Sequence, residues 1–417
     1  MTIGSRFIGM KISQIASNQS QEIKRVGVIG GGQLAWMMAD AAAKLGVKLL
    51  IQTPKATDPA ATVAADIVLA SIDDALATAE LANRADAITF ENEFIDLEAL
   101  STLEKQGVIF RPSLSALAPL LDKYHQRCYL RDLDLPTPKF WEGGIINREN
   151  SNTKAGGNQL TITNYQLPIP FPVVLKARRH GYDGQGTFII KDEASLNSIM
   201  AKLGNQPLLL EEFVPFEREL AVIAARSVTG EVAIYPIVET QQENQVCRRV
   251  IAPADVSLEV AKQAEAIAHS LLNSLQAVGI FGIELFLTKD DKVLVNEIAP
   301  RTHNSGHFTI DACETSQFEQ HLRAVCQLPL GNTSLNCDGA IMVNLLGYEN
   351  AQSDYLTKRE KLAQIRGAYV HWYGKSESRP GRKLGHVTVV WDARSHGDRQ
   401  DEAMAIAQTI ESIWYAS

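Results

Sequence analysis

The chain has 417 residues, more than one ordinary core accommodates, so two or three domains are expected. Apolar residues make up 45% and charged residues 21%, the balance of a soluble globular protein, which excludes a disordered or fibrous chain. The formal net charge of −8 argues against nucleic acid or an anionic membrane as the main partner, and five cysteines, odd in number and without a C-x-x-C pair, argue against a disulfide framework or a thiolate zinc site.

Residues 1–23 lack the apolar segment of a signal peptide. They carry no acid before Glu22 and are dotted with Ser5, Arg6, Lys11, Ser13, Ser17 and Ser20, faintly like a transit peptide; they read as an N-terminal extension. No apolar run approaches the ~20 residues of a membrane span. With unpaired cysteines, the expected setting is the cytoplasm.

Lys24–Ile29 then reads as a buried strand, Gly30-Gly31-Gly32 as a turn, and Gln33–Lys44 as a helix. Strands at 47–52, 66–69, 85–90 and 108–110 alternate with helices near 73–82 and 96–105, which predicts a parallel sheet in an α/β domain over 24–111. A second pattern, over 112–334, has strands at 172–178, 187–191, 208–214, 218–227, 232–239, 279–288 and 293–299, with helices at 193–203 and 258–275. Clustered strands with packed helices predict an α+β domain. The polar stretch 147–164, with Gly156-Gly157, reads as a loop insertion. A smaller region over 335–417 has strands at 340–346, 369–373 and 386–391 and a helix at 401–413.

Gly30-x-Gly32-x-x-Ala35 between strand and helix fits the dinucleotide-binding pattern and puts backbone N–H groups where an anion can sit. A dinucleotide site also needs an acid at the end of the second strand, and Gln52-Thr53-Pro54 offers none. A second glycine-rich loop is more specific. Lys176 ends a strand and is followed by Arg178-Arg179-His180-Gly181-Tyr182-Asp183-Gly184-Gln185-Gly186-Thr187. Glycines let backbone approach a ligand closely, and a lysine there reaches phosphate oxygens as a point charge. A flexible hairpin loop would not need so many cationic and titratable neighbours.

Glu284 and Glu297 lie on strands joined by Lys289-Asp290-Asp291-Lys292. If the turn centres between Asp290 and Asp291, the two glutamates are directly opposite on one face, with Cβ atoms roughly 4.5–5.5 Å apart. Like charges so placed destabilise a sheet unless compensated, and Mg²⁺ with phosphate oxygens is the natural compensation. A solvated face balanced by lysines is the plainer alternative, and a register error of one residue would remove the pairing.

Lys176 with GYDGQGT (181–187), EEFV (211–214) with Glu219, the Glu284/Glu297 pair and PRTHNSGH (300–307) together resemble an ATP-grasp enzyme. GGGQL (30–34) and RPGRKLGH (379–386) narrow the resemblance to the 5-(carboxyamino)imidazole ribonucleotide synthase family, from about Lys24 almost to the C-terminus. The resemblance implies an ATP-grasp fold with an N-terminal Rossmann-like pre-ATP-grasp domain and a small C-terminal domain. It implies a homodimer that carboxylates the exocyclic amine of aminoimidazole ribonucleotide with ATP, Mg²⁺ and bicarbonate. Bicarbonate would attack the γ-phosphorus, and the resulting carboxyphosphate, or CO₂ from it, would be captured by the amine.

The same resemblance assigns roles. Glu211, Glu212, Phe213 and Val214 would receive adenine and Glu219 the ribose. Lys123, Lys176 and the loop residues Tyr182, Asp183, Gly184, Gln185, Gly186 and Thr187 would hold the phosphates, the loop serving also as a lid. Glu284 and Glu297 would bind Mg²⁺, with Asn296 beside them. Arg301 and His303 would handle bicarbonate, and Asp183 would act as general base. Gln33, Leu34, Glu91 or Glu93, Tyr182, Asn304 and Ser305 would line the nucleotide substrate, and Lys375, Arg382 and Lys383 would take its phosphate. The chain departs from the family in having Ala35-Trp36 after GGGQL, where Gly-Arg is usual, and in the 147–164 insertion. It has Ala299 where many ATP-grasp enzymes have Asn, but Asn296 just before the second glutamate, as in this branch. Competing readings are a formate- or amino-acid-using ATP-grasp ligase, a nicotinamide dehydrogenase and a non-enzymatic nucleotide sensor. PRTHNSGH with the basic C-terminal cluster, Gln52, and the glutamate pair argue against them in turn.

Overall fold

The computed structural model describes residues 22–142, 146–147, 165–179, 186–204, 206–375, 377–392 and 399–416. The extension up to residue 21, most of the insertion, and the loop residues Tyr182, Asp183, Gly184 and Gln185 lie outside the described residues.

The first unit is a four-stranded parallel sheet in the order Asp66–Leu69, Lys48–Thr53, Arg25–Ile29, Ala87–Phe90. The strand expected at 108–110 is reduced to a single parallel bridge between Phe110 and Ile88. The helix expected over 33–44 is two, Gln33–Met37 and Ala39–Leu45, and left-handed Gly46 (φ 67°) ends the second. Asp74 and Asp96 start the next two helices by accepting hydrogen bonds from first-turn N–H groups.

A four-stranded antiparallel sheet follows, in the order Phe140–Glu142, Leu208–Glu212, Val173–Ala177, Thr187–Ile190, with the helix Glu193–Leu203 packed on it through buried Leu196. The largest sheet has nine strands. Its path runs Val293–Ala299, Gly279–Thr288, Phe216–Arg226, Val238–Glu243, Val246–Ala252, Gly339–Leu346, Lys383–Trp391, Ala368–Trp372, and Val232–Ile234 pairs with Phe216–Arg226 off this path. The single strand expected over 232–239 is thus broken in two. Pro236 sits in the break, where it has no N–H to give a ladder. The C-terminal strands join this sheet through the pairing of Val246–Ala252 with Gly339–Leu346.

Ser257 caps the helix Leu258–Leu275, whose Val260, Ala264, Ile267, Ala268 and Leu271 pack on Leu220, Val222 and Phe281. Each fully buried Val, Leu, Ile or Phe among them contributes about 1.5–3 kcal/mol. The first unit is anchored to the second by the helix Gln317–Val325. Its Phe318 and Leu322 enter the core of Val26, Val28 and Met38, and Glu319 pairs with Lys44 at 2.6 Å. Among the described residues no helix is long and apolar enough to cross a membrane. All five cysteines are free.

Candidate active site

A cleft of about 1820 Å³ is lined by residues from the parallel sheet, both antiparallel sheets and the C-terminal strands. Every described residue to which the sequence assigned a role lines it, except Gly186.

Glu284 and Glu297 are opposite each other. The turn, however, centres on Asp290 rather than between Asp290 and Asp291. Thr288 N–H donates to Lys292 C=O at 3.0 Å, and Asp291 takes a left-handed conformation (φ 58°). Continued unbroken, the pairing of Leu285 with Val295 would put Glu284 opposite Asn296. A bulge shifts the register between Glu284 and Leu285. Two residues of the bulged strand, Asn296 and Glu297, then face one residue of its partner. The Asn296 amide donates to Glu284 Oε2 at 3.2 Å and accepts from Lys176 Nζ at 2.9 Å. The bulge therefore explains why the amide precedes the glutamate in this chain.

Around the pair the charges are ordered. Lys123, first residue of the helix Lys123–Asp132, pairs with Glu297. Lys176 pairs with Glu211 at 2.8 Å, and Arg127 bridges Glu211 and the Asn296 carbonyl, the latter at 2.6 Å. Burial alone would raise the Glu211 carboxyl, but Arg127 and Lys176 outweigh it and hold it down at about 2. Its carboxylate is thus an internal counter-ion, and Glu212, Phe213 and Val214 line the cleft next to it. Val174, Ile189 and Phe286 supply apolar walls there. Glu284 is pushed up to about 7 by burial and by Glu297, and Glu219 to about 7 by burial and by Glu284. Burial also works against Glu297, but Lys123 and Lys176 bring it below its ordinary value. Carboxylates held protonated near neutrality by one another are a site short of positive charge.

Arg301 pairs with Glu93 at 2.8 Å, across the boundary with the first unit. His303 Nδ1 accepts from the Ser305 N–H at 3.4 Å and lies 2.8 Å from Ser305 Oγ, and its Nε2 stands 3.4 Å from Glu284 Oε1. Asn304 and Asn344 exchange hydrogen bonds at 3.0 and 2.8 Å.

At the glycine turn 30–32 a carboxylate from the protein itself already takes two backbone donors. The Glu91 carboxylate accepts from Gly32 N–H at 3.0 Å and Leu34 N–H at 3.2 Å. A Cβ on Gly32 would lie 2.2 Å from Glu91 Oε1, so the glycine admits this carboxylate. Gln52 is fully buried and donates to the Ser71 carbonyl at 2.7 Å, a structural role with no ribose acid. At the other end of the chain, Lys375 Nζ donates to Gln33 Oε1 at 2.5 Å and to the Lys383 carbonyl at 2.7 Å, and Arg382 donates to the Glu377 carbonyl at 2.8 Å.

Sequence reasoning missed Arg127 and a set of buried amides. Gln126 exchanges hydrogen bonds with both backbone groups of Ile298, beside the metal-type glutamate, at 2.9 and 3.1 Å. Gln317 braces the 300–307 loop in the same manner, and Asn344 bonds the side chain of Asn304 within it. A polar residue on a helix, or on a strand as Asn344 is, gives no sign in the sequence that it faces inward.

Three family models match in order along the chain: a ribonucleotide synthetase preATP-grasp domain over 23–119, an ATP-grasp domain over 130–318 and a phosphoribosylaminoimidazole carboxylase C-terminal domain over 340–400. The N5-carboxyaminoimidazole ribonucleotide synthase of Synechococcus elongatus is 52% identical over 392 residues, covering 94% of this chain and 96% of that one. A crystal structure of the N5-carboxyaminoimidazole ribonucleotide synthetase from Thermotoga maritima is similar at a TM-score of 0.78 with 40% identity, covering 94% of this chain and 98% of that one. The Aspergillus clavatus N5-carboxyaminoimidazole synthase, solved with ADP and 5-aminoimidazole ribonucleotide, is similar at a TM-score of 0.81 with 30% identity, over 94% of this chain and 98% of that one. With the three domains in order, the opposed glutamates in place and relatives matched over nearly their whole length, the chain belongs to the N5-carboxyaminoimidazole ribonucleotide synthase family of ATP-grasp enzymes.

Proposed function

We propose that this chain is an ATP-grasp carboxylate–amine ligase of de novo purine synthesis. It uses ATP and bicarbonate to carboxylate the exocyclic amine of 5-aminoimidazole ribonucleotide, with ADP and phosphate released. One observation carries the reading: Glu284, Glu297 and Lys176 share a cleft with Arg301 and His303 on one side and with Lys375, Arg382 and Lys383 on another. An ATP end, an acid end and a nucleotide end thus face one space.

The residues fit Mg²⁺. Two opposed carboxylates, one raised to about 7 by burial and by its neighbour, are stabilised by a hard divalent cation. When bound there it supplies charge neutralisation on the transferring phosphoryl group. Lys176 and Lys123 add fixed positive charge toward the same phosphates. Arg301 holds the bicarbonate oxyanion, its own charge held by Glu93. His303 orients the same anion through the imidazole face that looks toward Glu284. Lys375, Arg382 and Lys383 hold the nucleotide phosphate, and Gln33, Leu34, Glu91 or Glu93, Asn304 and Ser305 line the rest of the nucleotide. By the resemblance Tyr182 and Asp183, outside the described residues, would face the aminoimidazole, and the amine's need for a general base makes Asp183 the candidate. A homodimer, a cytoplasmic setting and the division 24–111, 112–334 and 335–417 belong to the same reading.

The test is phosphate release from ATP, with bicarbonate, against a panel of amine nucleotides. Stimulation by 5-aminoimidazole ribonucleotide that requires bicarbonate is expected. Equal stimulation with formate in place of bicarbonate, or by an unrelated amine nucleotide, would assign the acid or amine site differently.

A further inference from the structure

His303 is held by a residue that lines no part of the cleft. Gln317 opens the helix Gln317–Val325, whose N-cap is Ser316, and is fully buried. Its Oε1 accepts from the His303 N–H at 2.9 Å and its Nε2 donates to the His303 carbonyl at 2.8 Å. One carboxamide thus satisfies both backbone groups of His303, as a neighbouring strand would, and fixes it in an extended conformation (φ −128°, ψ 152°). The same Nε2 stands 3.1 Å from His307 Nδ1. The Gln317 N–H donates to Thr309 Oγ1 at 2.9 Å, and that hydroxyl donates to the Gly306 carbonyl at 2.6 Å, so both sides of the turn are tied to one helix end.

Two glycines leave room for this arrangement. A Cβ on Gly306 would lie 2.5 Å from Gln317 Oε1, and a Cβ on Gly282 would lie 2.5 Å from the His303 Cβ. His303 is therefore clamped between the Gln317 amide behind it and the bare backbone of the metal-bearing strand in front. With the backbone fixed, the ring is held at Nδ1 by Ser305 and faces Glu284 with Nε2. None of the hydrogen bonds of Gln317 given above reaches Lys123, Lys176, Glu211, Glu297 or Lys375.

We propose that Gln317 is a positioning residue for the acid half-reaction: it aims the His303 imidazole at bicarbonate beside the metal glutamates, and so couples ATP cleavage to carboxylation. The proposal rests on the reading of His303 as a bicarbonate residue. A misaim of a fraction of an ångström leaves ATP bound and cleavable but lets the activated acid be lost to water.

The experiment measures ¹⁴C-bicarbonate incorporation and phosphate release together, with KM for each substrate, in wild type, Gln317→Met and Gln317→Glu. Met keeps the length and removes the carboxamide contacts to the His303 N–H, the His303 carbonyl and His307 Nδ1; Glu keeps the acceptor for the His303 N–H and loses the donor. For Gln317→Met, label per phosphate is expected to fall on the order of tenfold and KM for bicarbonate to rise, with KM for ATP and for the aminoimidazole nucleotide within about twofold. Gln317→Glu should recover part of the coupling; if the Met variant does not fold, the Glu variant is read alone, and it must still couple less well than wild type. Wild-type coupling in either folded variant, or an equal rise in all three KM values, would overturn the proposal, the second outcome marking a general core brace. Failure of the wild-type enzyme to incorporate label would instead overturn the functional reading, whatever Gln317 does.

Discussion

Lys375 donates a hydrogen bond to the side chain of Gln33, 342 positions earlier in the chain. The contact joins the first glycine turn to the last basic segment. The cleft between them is closed by pairing the two ends of the sequence, with Trp36 edge-on to Tyr373 beside it. Lys375 also holds the Lys383 carbonyl, so the basic residues are oriented from within, and Arg382 donates to the Glu377 carbonyl and stands 3.6 Å from its carboxylate.

On the proposed function, a nucleotide phosphate there would give Arg382 a charge-assisted partner. Arg382→Ala should raise KM for the aminoimidazole nucleotide by roughly 10- to 100-fold, the equivalent of about 1.5–3 kcal/mol. KM for ATP should stay near wild type. Steady-state kinetics with each substrate varied in turn checks this; equal effects on both would remove the segment from the nucleotide phosphate site.

Glu284→Gln or Glu297→Gln should each reduce Mg-ATP-dependent turnover by more than about 100-fold, since even outer partners of a metal site are worth about 10- to 100-fold. The fold should survive, because both side chains face the cleft rather than the core. Turnover and circular dichroism measured together decide the matter: normal turnover in both folded variants rules out the metal role.

The same pair sets a pH dependence. Glu284 is raised from 4.5 to about 7 by burial and by Glu297. The folded protein therefore binds this proton more tightly than the unfolded chain does. The stabilising contribution is complete below about pH 4.5 and is lost as pH rises through about 7. In EDTA, Glu284→Gln should thus have a higher Tm than wild type at about pH 8, the difference shrinking toward about pH 4.5. Protons also compete with the metal, so Mg²⁺ affinity should weaken as pH falls through about 7. Thermal scans across this range check the first point, and a Glu284→Gln variant less stable than wild type at alkaline pH would contradict it.

Arg301→Ala and His303→Ala should keep ATP binding and lose carboxylation. Any ATP hydrolysis that persists should no longer respond to added bicarbonate. ATP affinity is measured directly, and phosphate release is followed with and without bicarbonate. A variant whose hydrolysis still rises with bicarbonate frees that residue from the acid site.

Much of this was legible in the sequence because periodicity and turn residues report local structure. The strands 279–288 and 293–299 and the helix 258–275 fall where the apolar pattern places them. The opposition of Glu284 and Glu297 was reached through a turn centre half a residue off, and the bulge at Asn296 restored it. A bulge adds one residue without changing composition, so pattern alone does not reveal it. The 30–32 turn read as an anion site because backbone donors were visible in the sequence, while the carboxylate that fills it, Glu91, comes from a strand end about sixty positions away. The clamps made by Gln126 and Gln317 were invisible for the same reason: their partners are backbone groups, which every residue carries.

The most direct test is ¹⁴C-bicarbonate incorporation by the wild-type enzyme with ATP, Mg²⁺ and 5-aminoimidazole ribonucleotide, phosphate release being followed in the same tube. The account predicts label in the nucleotide product, equal in amount to the phosphate released and absent when any one of the four is left out. Phosphate released without label in the nucleotide, or label that appears without ATP, would contradict it.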